Sequence, residues 1–366
     1  MNPLASAAEI TAGAILLGAI FFDLFQSVVL PRPAVNKVQL SRWIGRPMWL
    51  SWRWLSQKTS RLERSERRLA SYGPLSLFVF FLIWGLGIVL GYSLIDYGLA
   101  DQFKPALGDF PTSFYISATT LVPLSYGDFV PEQGPARLVI VAESATGIVL
   151  AALAITLLFS LYESFRSREE AVIALDALAG APPAGVYLLE QTVERSLRPQ
   201  LKETFEEWRK WTAMVLESHL AYPWLFFFRS SHDNEAWINS FAAVMDAAVL
   251  VLSTVDDESE GSARLMLTVG NHFVEDTAWV LRLTNQLDPI IDRDEYQVAV
   301  DRLRKAGYRI KDSGWEKFSK LRSQYASVVN QLALLLAVPP AEWVGDRSYL
   351  PHRQGARARR SKPPAS

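Results

Sequence analysis

Three long apolar runs organise the first half of this chain: Ile10–Leu30, Leu75–Ile95 and Leu138–Leu161. Each is about the length a helix needs to cross a hydrocarbon core of roughly 30 Å. The pattern predicts membrane helices over 8–30, 74–98 and 135–165. The second is started by Gly73-Pro74, because proline is tolerated in a first helical turn. The third would reach about 45 Å at 1.5 Å per residue, longer than a simple crossing, and so continues past the membrane. Between the last two runs, a short amphipathic stretch predicts a helix over 111–121 that leads into Tyr126-Gly127-Asp128. From Ser167 the periodicity becomes that of a soluble helical domain. Amphipathic stretches fall at about Tyr187–Glu194, Gln200–Ala221, Glu235–Thr254, Ser262–Leu287, Glu295–Ala306 and Trp315–Ala337, separated by Pro, Gly and Asp breaks. No period-2 strand run and no fixed-period repeat stands out.

Charge gives these runs a direction. Residues 31–72 carry Arg32, Lys37, Arg42, Arg46, Arg53, Lys58, Arg61, Arg64, Arg67 and Arg68 against only Glu63 and Glu66, with Trp43, Trp49, Trp52 and Trp54 interleaved. Basic residues mark the cytoplasmic side and tryptophans favour the headgroup zone. The segment reads as a helix lying on the inner leaflet, with Arg42, Arg46 and Arg53 meeting anionic lipid; a solvated linker would explain the arginines but not the tryptophans. The connection after the second run holds Asp96, Asp101 and Asp109 against Lys104, and reads as the outer face. The topology is then N-terminus outside, three crossings, and a cytoplasmic domain at 166–344 followed by a basic, disordered tail at 345–366. A signal peptide is the competing reading of the first run, but it lacks a basic n-region and is too long. Asp23, inside that run, is costly in lipid, which predicts that it faces protein.

A polar re-entrant stretch between two apolar spans is tolerated only where it is buried in protein or lines a watery cavity. Residues Phe114–Pro131, FYISATTLVPLSYGDFVP, resemble the pore loop of the potassium-channel superfamily. The resemblance is carried by Thr119-Thr120 at the end of the short helix, the Tyr126-Gly127-Asp128 filter end, Pro131 closing the loop, and Gly147 midway down the next helix. It covers roughly residues 73–165. It implies a selectivity filter at Val122, Pro123, Leu124, Ser125, Tyr126, Gly127 and Asp128, in which backbone carbonyls replace the hydration shell of an ion, and a gating hinge at Gly147. One pore loop per chain implies four copies around an axis, a homotetramer. The family pattern is Thr-x-Gly-Tyr-Gly-Asp, whereas this chain has Pro123 for the threonine and Ser125 for the first glycine. Left-handed backbone at a serine costs about 1–2 kcal/mol, and Pro123 offers no hydroxyl ligand. Those departures predict weak potassium preference or general cation permeability.

The resemblance also implies that Asp128 is hydrogen-bonded behind the filter, where Tyr115 and Thr119 stand at the matching positions; a solvated acid at the outer mouth is the alternative. Glu143, one turn before Gly147 in an apolar helix, is a functional candidate by default, or a structural bond to the short helix. Ala151, Ile155 and Phe159 follow Gly147 at four-residue steps and share its face. That face either lines the conduit, with Phe159 as a hydrophobic constriction, or packs on the preceding membrane helix. In the soluble domain, His272, Glu275 and Asp276 share a helical face, a surface salt-bridge cluster far more often than a metal site. Phe226–Phe228 is either a contact patch or part of the domain core.

Composition narrows the classes. The chain has 366 residues, formal net charge −1, 50% hydrophobic content and no cysteine. Thiol chemistry and disulfides are excluded, near-neutral charge gives no reason to expect nucleic acid, and no phosphate-binding glycine motif occurs. There is no nucleophile–base pairing to suggest an enzyme. The reading is an all-α integral membrane pore-loop channel with three transmembrane helices per chain and a helical cytoplasmic domain. It needs no cofactor beyond a permeant monovalent cation, K+ or Na+, and the ligand of the cytoplasmic domain is not legible. A non-conducting receptor or scaffold that keeps the fold is the alternative.

Overall fold

The computed structural model describes residues 3–30, 40–58, 62–124, 126–230, 236–311, 314–338 and 341–344. The tail at 345–366 and Ser125 therefore lie outside the described residues. The described chain is all-α apart from one pair of two-residue strands. Three of its helices are long and apolar enough to cross a membrane, over Pro3–Val28, Ser65–Gly98 and Gly134–Ala179. The chain divides into two compact units, residues 1–59 with 71–163, and residues 60–70 with 164–366.

In the first unit, α1 (Pro3–Leu24) runs into a π-helical turn at Phe25–Val29. It starts earlier than the expected residue 8, because Pro3 to Ala8 are compatible with a first helical turn. The second helix, α2 (Leu40–Gln57), is amphipathic and accommodates Pro47. The third, α3 (Leu62–Gly98), does not begin at Pro74 but passes through it. The residues ahead of the proline, rich in Leu, Glu, Arg and Ala, are good helix formers. Pro74 removes one backbone N–H donor from the helix, and Ser76 Oγ donates to the Gly73 carbonyl at 2.7 Å beside it. Helix α4 (Phe110–Leu121) matches the expected short helix. Helix α5 (Gly134–Ala179) runs fourteen residues past the expected end at 165, through SREEAVIALDALA, a stretch of strong helix formers. It stops at Gly180, whose φ of +78° is left-handed, ahead of Pro182-Pro183. Strands β1 (Phe103–Lys104) and β2 (Val130–Pro131) pair antiparallel.

Glycines let α1 and α3 meet closely. A Cβ on Gly13 would lie 2.5 Å from the Gly91 carbonyl oxygen, and one on Gly98 would lie 2.6 Å from Ile10. Small residues at such a seam allow backbones to approach where no hydrophobic driving force exists between helices. Deeper along the seam Asp23 is buried and accepts a hydrogen bond from Trp84 Nε1 at 2.8 Å, so it does face protein. Helix α2 is pinned to α3 by Tyr72, whose hydroxyl donates to the Gly45 carbonyl at 2.9 Å and whose ring meets Trp49 edge-on. The opposite side of α2 exposes Leu50, Trp54 and Leu55, with the Lys58 ammonium 3.4 Å over the Trp54 ring. Arg42 and Arg46 fall in α2, where their side chains lie outside the described residues, and Arg53 is half-buried.

The second unit is built on α8 (Trp237–Ser253), every residue of which is buried. Around it pack α6 (Gly185–Glu194), α7 (Leu201–Ala221), α9 (Glu260–Leu281), α11 (Gly314–Arg322) and α12 (Ala326–Leu335), with α10 (Arg293–Ala306) against α6. The stretch Trp315–Ala337, read as one helix, is two, because the backbone turns at Ser323–Tyr325. Helix α9 ends at Leu281 rather than 287, where Arg282 takes a left-handed cap. Phe226 is buried in the core against His219 and Trp237, while Phe228 meets Phe165.

Two buried arginines organise this core. Arg168, in the part of α5 that belongs to this unit, donates to the carbonyls of Leu225 (3.0 Å) and Phe228 (2.6 Å) and to Glu169 (2.9 Å). It also meets His219 Nε2 at 3.3 Å. Burial, then the Arg168 charge, push the His219 imidazole well below its ordinary pKa, so it is neutral. With Nδ1 2.8 Å from the Val215 carbonyl, the proton sits on Nδ1 and Nε2 accepts from Arg168. Arg322 pairs with Asp246 of α8 at 2.8 Å and donates to the Trp343 carbonyl at 2.8 Å, while Tyr325 donates to the same Asp246 at 2.5 Å.

Candidate functional site

The site is assembled from the start of α4. Asp109 caps this helix: its carboxylate accepts from Thr112 N at 2.9 Å and Thr112 Oγ1 at 2.5 Å, which holds it below the usual carboxylate range. Pro111 in the first turn costs no bond. Midway, Ser117 is fully buried, with Oγ against both the Val89 carbonyl of α3 (2.9 Å) and the Glu143 carboxyl of α5. The structural bond left open for Glu143 is therefore present, and it joins α5 to the short helix. One turn later the Leu121 carbonyl presses on Gly147, where a Cβ would fall 1.8 Å from the oxygen. Gly147 is thus a point of close approach inside an unbroken helix.

After Leu121 the chain leaves the helix. Leu124 N donates to Thr119 O at 2.8 Å, and Gly127 takes a left-handed φ of +78°, a conformation glycine adopts freely. Val122, Pro123, Leu124, Tyr126, Gly127 and Asp128 are exposed in the single chain, and Ser125 lies outside the described residues. The Tyr115 hydroxyl lies near the Asp128 carboxylate, which brings α4 close to the exit of the loop. Thr119 does not join them: its hydroxyl turns back to the Tyr115 and Ile116 carbonyls, each at 3.0 Å. On α5, Ala151, Ile155 (58% exposed) and Phe159 (70%) form one exposed face. Among the described residues, no helix covers that face.

Asp96, counted by its charge with the acidic outer connection, sits in the last turn of α3, within the expected helix over 74–98, and is fully buried, with neither carboxyl oxygen hydrogen-bonded among the described residues. It lies within electrostatic reach of Glu143, and nearby Tyr92 and Thr146 share a hydrogen bond at 3.0 Å. The four-residue spacing from Tyr92 to Asp96 was the available signal. Ser117 had none, since a serine on a short helix reads as ordinary. In the second unit, His272 Nε2 lies 3.2 Å from Asp276 Oδ2 on an exposed face. The described residues include no group of three or more His, Asp or Glu placed to hold a metal.

A short helix followed by a left-handed glycine, held between two membrane-length helices, is the geometry of a pore loop. Residues 77–164 match the family described as ion channel. The match takes in the membrane part of α3, all of α4, the loop and the membrane part of α5, under a quarter of the 366-residue chain. No curated protein and no solved structure matches the chain. The ion-channel segment thus coincides with the stretch whose polar groups converge on α4, and the second unit lies outside it.

Proposed function

We propose that this chain assembles as a homotetramer that conducts monovalent cations passively, K+ or Na+, with weak selectivity between them. The observation that carries the reading is the loop at 122–128, carried on α4, which bonds to α3 and α5 through Ser117, within the segment that matches the ion-channel family. In this reading the carbonyls of Val122 to Gly127 coordinate the ion, Tyr115 braces Asp128, and Glu143 and Ser117 hold α4. Ala151, Ile155 and Phe159 line the inner conduit, with Phe159 as its hydrophobic constriction, and Gly147 lets α5 bend. The four copies meet along the exposed loop and α5 faces.

The arginine-rich 31–72 segment faces the cytoplasm and the second unit lies on that side. Leu50, Trp54 and Leu55 of α2 enter the inner leaflet, while Arg42, Arg46 and Arg53 meet anionic headgroups. The second unit modulates opening through α5, whose extension it grips at Arg168.

Reconstituted protein tests this directly. Wild type should pass both K+ and Na+, and Pro123→Thr with Ser125→Gly should raise the preference for K+. Each 1.4 kcal/mol of differential binding is about tenfold. A reversal potential showing strict K+ selectivity in the wild type would refute the weak-filter reading. A non-conducting receptor or scaffold would give no wild-type flux, with current only in the double substitution.

A further inference from the structure

Beyond the filter, the chain has to turn from Asp128 back into the membrane at Gly134, and the stretch between has few side chains able to hold it. The start of α5 is poorly provided for. A helix leaves its first N–H groups without intrahelical partners, and Gln133, which precedes it, is not among the favoured N-capping types. The acceptor comes from 34 residues earlier: Gln102 Oε1 takes the Ala136 N–H at 3.1 Å. The backbone carbonyl of the same Gln102 accepts from Glu132 N at 2.8 Å. Immediately after it, Phe103 and Lys104 pair with Pro131 and Val130. Arg137 Nε closes the turn from the other side, donating to the Pro131 carbonyl at 3.1 Å.

Beneath this pairing lies a small apolar core of Ala100, Phe103, Leu107, Ile116 and Ala136, with Phe129 packed against it. Ile116 belongs to α4, Ala136 to α5 and Phe129 to the filter exit. A shift at Gln102 is therefore passed to all three. The other polar link across the pair, Lys104 to Glu132 at 3.4 Å, is exposed on both sides and contributes little.

We propose that Gln102 is the positioning residue for the outer end of the filter, holding the returning chain through its backbone carbonyl and its side-chain oxygen together. The proposal rests on the conduction reading above for its effect on ions, but not for its effect on the backbone. Its chemistry is that of an acceptor at a helix N-terminus. A glutamate can replace it, since a carboxylate is favoured there. A methionine of similar length offers no comparable acceptor.

The experiment compares full-length wild type, Gln102→Met and Gln102→Glu in bilayers, by amide hydrogen exchange over 129–136 and by K+/Na+ reversal potential. Gln102→Met should exchange about fivefold faster at Ala136, the factor that one net hydrogen bond is worth, and its reversal potential should move. Gln102→Glu should match wild type in both. The proposal is overturned if Gln102→Met matches wild type in both measurements, or if Gln102→Glu is as impaired as Gln102→Met. If exchange responds as expected while wild type passes no ions, the conduction reading fails and the backbone clamp stands.

Discussion

Replacing Gly147 by alanine separates a packing role from a hinge role. The added Cβ would lie 1.8 Å from the Leu121 carbonyl oxygen, against a closest tolerated approach of 3.0 Å, so α4 and α5 must part by at least 3.0 − 1.8 = 1.2 Å at that point. Overpacking of this kind costs about 1–3 kcal/mol, and the better helix propensity of alanine returns about 1 kcal/mol. The displaced atom is the last carbonyl of α4, directly before the filter. Gly85→Ala in α3 is the control, since nothing lies within 4 Å of its Cβ. Thermal unfolding of the purified protein should show Gly147→Ala destabilised by up to about 2 kcal/mol and Gly85→Ala neutral or slightly stabilised. Reversal potentials should shift for the first and not the second. A hinge that is only flexible predicts a stable Gly147→Ala protein with unchanged permeation and altered opening. Equal stability of the two variants, with wild-type selectivity in both, would refute the packing argument.

Asp246→Asn should lower stability by about 3–5 kcal/mol, because it leaves Arg322 charged and buried without its counter-ion; replacing both by well-packed apolar residues should recover much of that loss, as chemical denaturation would show. His219 makes stability pH-dependent with a defined sign. Its folded pKa lies below the ordinary 6.5, so the unfolded state binds more protons; its contribution is complete above about pH 6.5 and is lost as pH falls from there toward the folded value, at up to about 1.4 kcal/mol per unit. His219→Gln should flatten that part of a stability–pH profile, and an unchanged slope would show that the imidazole is not the group responsible. Single cysteines at Ser6 and Ser323 should label from opposite sides of sealed vesicles; labelling from one side would overturn the three-crossing topology.

The sequence by itself determined the membrane character, the number of helices long and apolar enough to cross a membrane, and the place of the loop. Each of these follows from local information: the length of an apolar run, the need to satisfy backbone groups in hydrocarbon, and a glycine where left-handed backbone is required. The ends of helices were less legible. Pro74 reads as a start until the helix-forming residues before it are weighed with their packing, and α5 continues past 165 because its extension is seated by Arg168 in the second unit. Only the tertiary structure decided which polar residues support the loop. Ser117 meets Glu143 across 26 residues and Gln102 reaches Ala136 across 34, and at the α1–α3 seam Trp84 likewise reaches Asp23 across 61. Such pairs carry no periodicity, because a hydrogen bond between distant elements is set by how the helices cross and not by spacing along the chain. The close approach at Gly147 is of the same kind: the glycine was visible in the sequence, but the carbonyl it makes room for belongs to another helix.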